Sequence, residues 1–165
     1  VLAIHTISSP VLSIDCFTDF SATYDSYELE VYNLAFSVTD ALKYRFAVAG
    51  AADTTGNYAY AGSYITSAGT TGSMGSTSDS SCPVNHGNVS TGIHQTAIIR
   101  ITNANSTNYK QARIWSHSKI SGTFETTDVG LSLSTASAVT GLQLYGAAGE
   151  TISSATVIVR GVPKI

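Results

Sequence analysis

The stretch YELEVYNLAF, residues 27–36, decides the fold class. In its first half Tyr27, Leu29 and Val31 alternate with the charged Glu28 and Glu30. In its second half the apolar residues Leu34 and Phe36 fall on the opposite parity. Side chains of an extended strand point to the two faces in turn, so a period of two marks a sheet with one buried face. The change of phase predicts a β-bulge near Tyr32 and Asn33 that turns both apolar sets inward. A change of sheet at the same point would have the same effect.

The same period runs outward from this stretch. In LKYRFAV (42–48) Leu42, Tyr44, Phe46 and Val48 share one face, and Lys43 and Arg45 the other. In ARIWSHSKI (112–120) Ile114 and Ile120 share a face, whereas Arg113, Trp115, His117 and Lys119 share its opposite. Strands are expected near 2–7, 11–17, 26–36, 42–49, 57–66, 94–103, 110–119, 123–133, 139–145 and 154–162. No segment carries helical periodicity with caps at both ends. The expectation is an all-β, jelly-roll-like antiparallel β-sandwich of about eight to ten strands, in a single domain over residues 1–165. The final stretch VTGLQLYGAAGETISSATVIVRG (139–161) reads as a hairpin that locks the C-terminal strand into a sheet. In it Val157 and Val159 face the core, with Ile158 and Arg160 on the other face.

One segment breaks the rhythm. SAGTTGSMGSTSDSSCPVNHGNVSTG opens a Gly-, Ser- and Thr-rich stretch at about 67–93. It reads as a long loop, either mobile or ordered by something outside its own chain. Met74, Val84 and Ile93 supply its few apolar anchors.

Composition narrows the function. A chain of 165 residues buries roughly 70% of its unfolded surface without needing a metal or a disulfide. Only 12% of residues are charged and the net charge is -3, so no basic footprint points to nucleic acid. No apolar run reaches the roughly 18 residues of a membrane-spanning helix, so no membrane insertion is expected. The start, VLAIHTISSPVLS, lacks the basic n-region of a signal peptide. Cys16 and Cys82 match no zinc or redox spacing; two small buried thiols or one disulfide are the readings left open.

Catalytic patterns are missing from the sequence. There is no Gly-x-Ser-x-Gly elbow, no phosphate-binding glycine loop and no helical His pair. Glu28 and Glu30 lie about 7 Å apart along a strand, and an exposed charged face accounts for them better than an acid/base pair. His86 and His94 bracket the end of the long loop, with Asp79 upstream; His and Asp in a polar loop are usually solvated, so no metal and no cofactor is expected. The sequons at Asn88 and Asn105 are expected by chance in a chain this rich in Ser, Thr and Asn. Tyrosine dominates the aromatics, with nine against five Phe and one Trp, a bias that suits recognition surfaces. Tyr58, Tyr60 and Tyr64 share a parity, either as a core-facing row or as an aromatic platform for a sugar or partner protein. With Met74, His86, His94 and Trp115 they make the candidate interface, and the chain reads as non-enzymatic.

The C-terminal stretch carries a resemblance. Val139, Leu142 and Leu144, then Val157, Val159, Gly161 and Val162, resemble the closing signature of β-sandwich structural proteins of tailed bacteriophages. There a strand of the type I-x-x-I-x-L leads through a polar turn to G-T-x-x-L-Y-G-I. Ser154 and Ala155 stand here where Gly-Thr is usual, and Val159 and Arg160 where Leu-Tyr is usual. The upstream order YDSYELEVYNLAFSVTDALKYRFAVAG, NYAYAG and NSTNYKQARIWS is similar too, so that the resemblance spans about 24–162. It implies a jelly-roll-like module of a virion: a tail appendage or receptor-binding module, or a capsid decoration protein. It also implies a symmetric oligomer, a trimer above all, contacts with other virion proteins, and no catalytic residues. A host-surface glycan is the other ligand to expect. The alternative is a carbohydrate-binding module of a larger secreted protein.

Overall fold

A computed structural model describes residues 1–107, 109–120 and 122–163. The chain runs through β1 (Ala3–Ile7), β2 (Ser13–Cys16), β3 (Ser26–Phe36), β4 (Leu42–Val48), β5 (Ala51–Ala52), β6 (Tyr58–Thr66) and β7 (Thr71–Asp79). It continues through β8 (Cys82–Pro83), β9 (Gln95–Thr102), β10 (Lys110–Ile120), β11 (Thr123–Leu133), β12 (Val139–Gly146) and β13 (Ile152–Val162). The fold is all-β: among the described residues there is no helix, and so none long and apolar enough to cross a membrane.

Eight strands form one antiparallel sheet in the order β1-β13-β3-β9-β10-β11-β6-β7. A second sheet has the order β2-β12-β4-β5, with β8 also pairing β4. The sheets make a β-sandwich because each has one apolar face to hide. Leu29, Ile99, Ile114 and Val129 from the first meet Ile14, Tyr44, Phe46, Leu142 and Leu144 from the second in one buried cluster.

The bulge in β3 is where the change of parity requires it. Pairing with β9 slips between Val31 and Leu34, and Asn33 takes a left-handed φ of 52°. Tyr32 and Asn33 are exposed, whereas Val31 and Leu34 on either side are fully buried. Both halves of β3 stay paired to β13, so the strand bulges within its sheet and does not change sheet.

The C-terminal stretch is not a hairpin. β12 pairs β2 and β4 in the smaller sheet, and β13 pairs β1 and β3 in the larger. The connection between them is a corner joining the two layers. Asp40, 1% exposed, builds that corner: its carboxylate accepts the backbone N–H groups of Ala41, Ala148 and Glu150. The expected facing of β13 holds, with Val157 and Val159 fully buried and Ile158 and Arg160 on the outer side.

The segment 67–93 is not one long loop, because it contains the strands β7 and β8. β7 pairs β6 over most of its length and closes the edge of the large sheet. β8 pairs β4, and Val89 bridges both Asp40 and Ile120. Residues 82–89 lie over the inner face of β10 and β11, where the Ser116 hydroxyl donates to the Val84 carbonyl and Glu125 accepts the His86 N–H. With β5, these strands raise the count among the described residues to thirteen, above the eight to ten expected.

Cys16 and Cys82 are free and buried. Cys16 opposes Leu142 on β12 and Cys82 opposes Tyr44 on β4. β12 and β4 lie between them, a separation of about 14 Å at the usual strand spacing, beyond the reach of a disulfide. Burial raises the pKa of both thiols well above the ordinary value.

Candidate functional site

The outer face of the eight-stranded sheet carries an ordered array of charged and aromatic side chains. It follows from the alternation described above, because each residue that hides a neighbour in the core presents the next to solvent. Along one row of register partners lie Arg160, Glu28, Arg100 and Arg113, contributed by β13, β3, β9 and β10. The adjacent row runs Ile4, Ile158, Glu30, Ile98, Trp115 and Asp128.

Ion pairs knit these rows. Arg100 meets Glu28 at 2.5 Å, Arg160 meets Glu30 at 2.9 Å, and Arg113 forks onto both oxygens of Asp128 at 3.1 and 2.7 Å. The Arg160 hydrogen bond, followed by that of Tyr32, holds the Glu30 carboxyl below its ordinary pKa. Arg113 does the same for Asp128, and the Trp115 side chain adds to the effect. Three guanidinium groups face three carboxylates, so these pairs balance in charge, and Lys119 on the same face of β10 adds one positive charge.

Trp115 sits at the centre. Arg100 and Arg113 are directly opposed on neighbouring strands, a like-charge pairing that alone would be unfavourable. Both guanidinium groups instead approach the indole, with Cζ 5.4 and 4.9 Å from the ring centroid, within cation–π range. Beyond Arg113 the same row continues through Gly130, Ala61 and Gly75. These small, exposed residues leave a shallow trough floored by backbone. It is bordered by Trp115, Asp128 and Ser63 on one side and by Gln111 and Ser132 on the other.

The other candidate residues are dispersed. Tyr58 is fully buried; its hydroxyl donates to the Asp53 carbonyl and accepts the Phe46 N–H, so it belongs to the core and to no interface. Tyr60 and Met74 pack against the core from the β6–β7 edge. Tyr64 stacks on His86 with ring centroids 3.6 Å apart, and His86 Nδ1 lies 3.4 Å from Glu125. His94 is exposed at the β3 bulge, its Nδ1 3.1 Å from the Asn33 carbonyl oxygen. The tyrosine row is therefore mainly packing, and of the seven candidates Trp115 is the one set in the charged outer face.

Sequence reading missed the partners of Trp115. Arg113 was legible on its face, but Arg100, Glu28 and Asp128 join it only through strand order. It also missed His5, Cys16 and Asp19, which the fold brings together from three places in the chain. A usable signal was present for two of them: His5 shares the parity of Ala3 and Ile7, and Cys16 that of Ile14. Both therefore point inward.

No family model matches this chain, and no curated protein matches it. Among solved structures it is similar to the CBM2 module of the evolved Dit of Lactobacillus casei BL23 phage J-1. The two are 9% identical over 93% of this chain and 69% of that one, with a TM-score of 0.22. A likeness at that TM-score carries no argument about function.

Proposed function

We propose that this chain is a non-enzymatic structural module of a tailed-bacteriophage virion that attaches through the outer face of its large sheet. A tail appendage or receptor-binding role comes first and capsid decoration second. The observation that carries the reading is the Trp115 face. Its carboxylates are committed to cross-strand arginines, which makes it a surface for recognition and leaves Glu28, Glu30 and Asp128 ill-suited to proton transfer. The resemblance over residues 24–162 supports the virion setting, with assembly in the host cytoplasm.

The partners proposed are other virion proteins and a second and third copy of the chain. β7 ends the large sheet and carries no charge before Asp79, so its outer edge suits pairing with a neighbour. Mass spectrometry of gradient-purified particles tests the reading. The chain should co-purify at a fixed copy number per particle; its absence from the particles would end it.

A second reading, a carbohydrate-binding module of a larger secreted protein, is favoured by the trough beside Trp115. Indole and guanidinium planes next to Asp128, Gln111 and Ser132 suit the apolar face and hydroxyls of a sugar. Glycan binding by a chain found in culture supernatant and missing from particles would select this reading.

A further inference from the structure

The geometry points to a divalent-metal site of the zinc class formed by His5, Cys16 and Asp19, which clips the two sheets together at their N-terminal edge. His5 comes from β1, the edge strand of the large sheet, and Cys16 from β2, the edge strand of the small one. Asp19 follows in the turn after β2. A ligand-type atom from each, namely an imidazole nitrogen, the thiol sulfur and a carboxylate oxygen, lies within 4.8 Å of the other two. His5 Nε2 and Asp19 Oδ2 are already 2.5 Å apart.

The fit to a tetrahedral ion is close. Usual zinc bond lengths put ligand atoms about 3.3–3.6 Å from one another, so the His5–Asp19 contact opens by under about 1 Å. One nitrogen, one sulfur and one oxygen are the donor mixture of borderline-soft cations; magnesium and calcium take oxygen alone. The charges also balance. A dication bound by one thiolate and one carboxylate is neutral, which limits the desolvation of a half-buried site. On binding, the Cys16 thiol gives its proton to solvent as the metal–sulfur bond forms, and His5 binds as the neutral imidazole.

Access and support are both present. Cys16 is fully buried, while the side chains of His5 and Asp19 are 28% and 15% exposed, so an ion enters from their side and a water completes the fourth position. The turn that carries Asp19 is fixed at its far end, where the Phe20 N–H donates to the Thr140 carbonyl and the Phe20 ring stacks on Tyr27 at 4.0 Å. β1 is otherwise bonded to β13 alone among the strands. A metal would give this strand a second attachment.

The test is titration of the metal-stripped chain with cobalt(II) and zinc(II). Cobalt should bind at one equivalent and produce the near-ultraviolet thiolate charge-transfer band. Zinc should raise the melting temperature and slow amide exchange in residues 3–7. Cys16→Ser should abolish the band and weaken binding by at least ~100-fold, the upper end of the loss that follows removal of an outer-shell partner. Cys82→Ala, which leaves all three ligands in place, should behave as wild type. If Cys16→Ser does not fold, His5→Gln at its partly exposed position should lose the zinc-induced stabilisation. Absence of the charge-transfer band with the wild-type chain, or equal binding by wild type and His5→Gln, would overturn the site.

Discussion

Gly141 of β12 packs directly against the backbone of Cys16, so closely that a methyl group on Gly141 would overlap the Cys16 carbonyl. That contact lets the chain turn sharply after β2 and sets the position of the turn bearing Asp19. The obstacle is backbone, which cannot swing aside as a side chain would. Gly141→Ala should therefore destabilise by about 3 kcal/mol or more. Gly130→Ala is the comparison, because a Cβ there meets nothing closer than the Ala61 carbonyl at 3.9 Å; its effect should stay within about 0.5 kcal/mol. Urea unfolding of the two variants provides the check.

Val157→Asp places a carboxylate between Val31 and His5 at a position with no exposure. Its neighbour His5 is already bonded to the Asp19 carboxylate, so the loss should be about 3–5 kcal/mol. Arg160→Ser, on the outer side of the same strand, breaks a solvent-screened pair with Glu30 and should cost far less. Equal melting temperatures for the two would show that the facing of β13 is reversed.

β7 should be an intrinsic strand of the isolated chain. Its amides that bond β6 should exchange slowly in the free protein, and those on its outer edge quickly, giving an alternating pattern from Thr71 to Asp79. Deletion of 71–79 should lower the melting temperature, because Tyr60 and Tyr64 lose their cover and the core loses its contact with Met74. Uniformly fast exchange would return the segment to a loop.

Acid should weaken the outer face. Glu30 and Asp128 have pKa values lowered in the folded chain, so the stability they add is complete above the unfolded carboxylate range near 4 and is lost as pH falls through the lowered values. The melting temperature should decline from about pH 5 downward. Glu30→Gln combined with Asp128→Asn should shallow that decline while lowering stability slightly at neutral pH. The effect is small because both pairs are partly exposed. An unchanged acid limb in the double variant would mean that other carboxylates govern it.

The sandwich was legible because most strands hide one face. Tyr27, Leu29 and Val31, then Leu34 and Phe36, announce both β3 and its bulge. β7 was illegible for a physical reason. Its residues are small because Tyr64 lies over it, and a side chain on Gly72 would overlap the Tyr64 ring. An edge strand held by backbone hydrogen bonds and the tyrosines of its neighbour needs no apolar alternation of its own. The apparent hairpin at 139–161 failed because sequence proximity cannot tell a turn within a sheet from a corner between sheets; the buried Asp40 that makes the corner lies about a hundred residues upstream. Trp115 was visible as an outward aromatic, but the arginines that frame it depend on strand order.

The most direct test of attachment through the outer face uses the chain's one tryptophan, which lies at the centre of that face. Fluorescence emission of the free chain is followed while envelope fragments of the host, or particles lacking this protein, are added. The account predicts a saturable shift of Trp115 emission on binding, and an affinity at least ~10-fold weaker for Arg113→Ala, the loss of more than about 1.4 kcal/mol that marks an interface anchor. Binding that leaves the emission unchanged, or that survives Arg113→Ala undiminished, would contradict it.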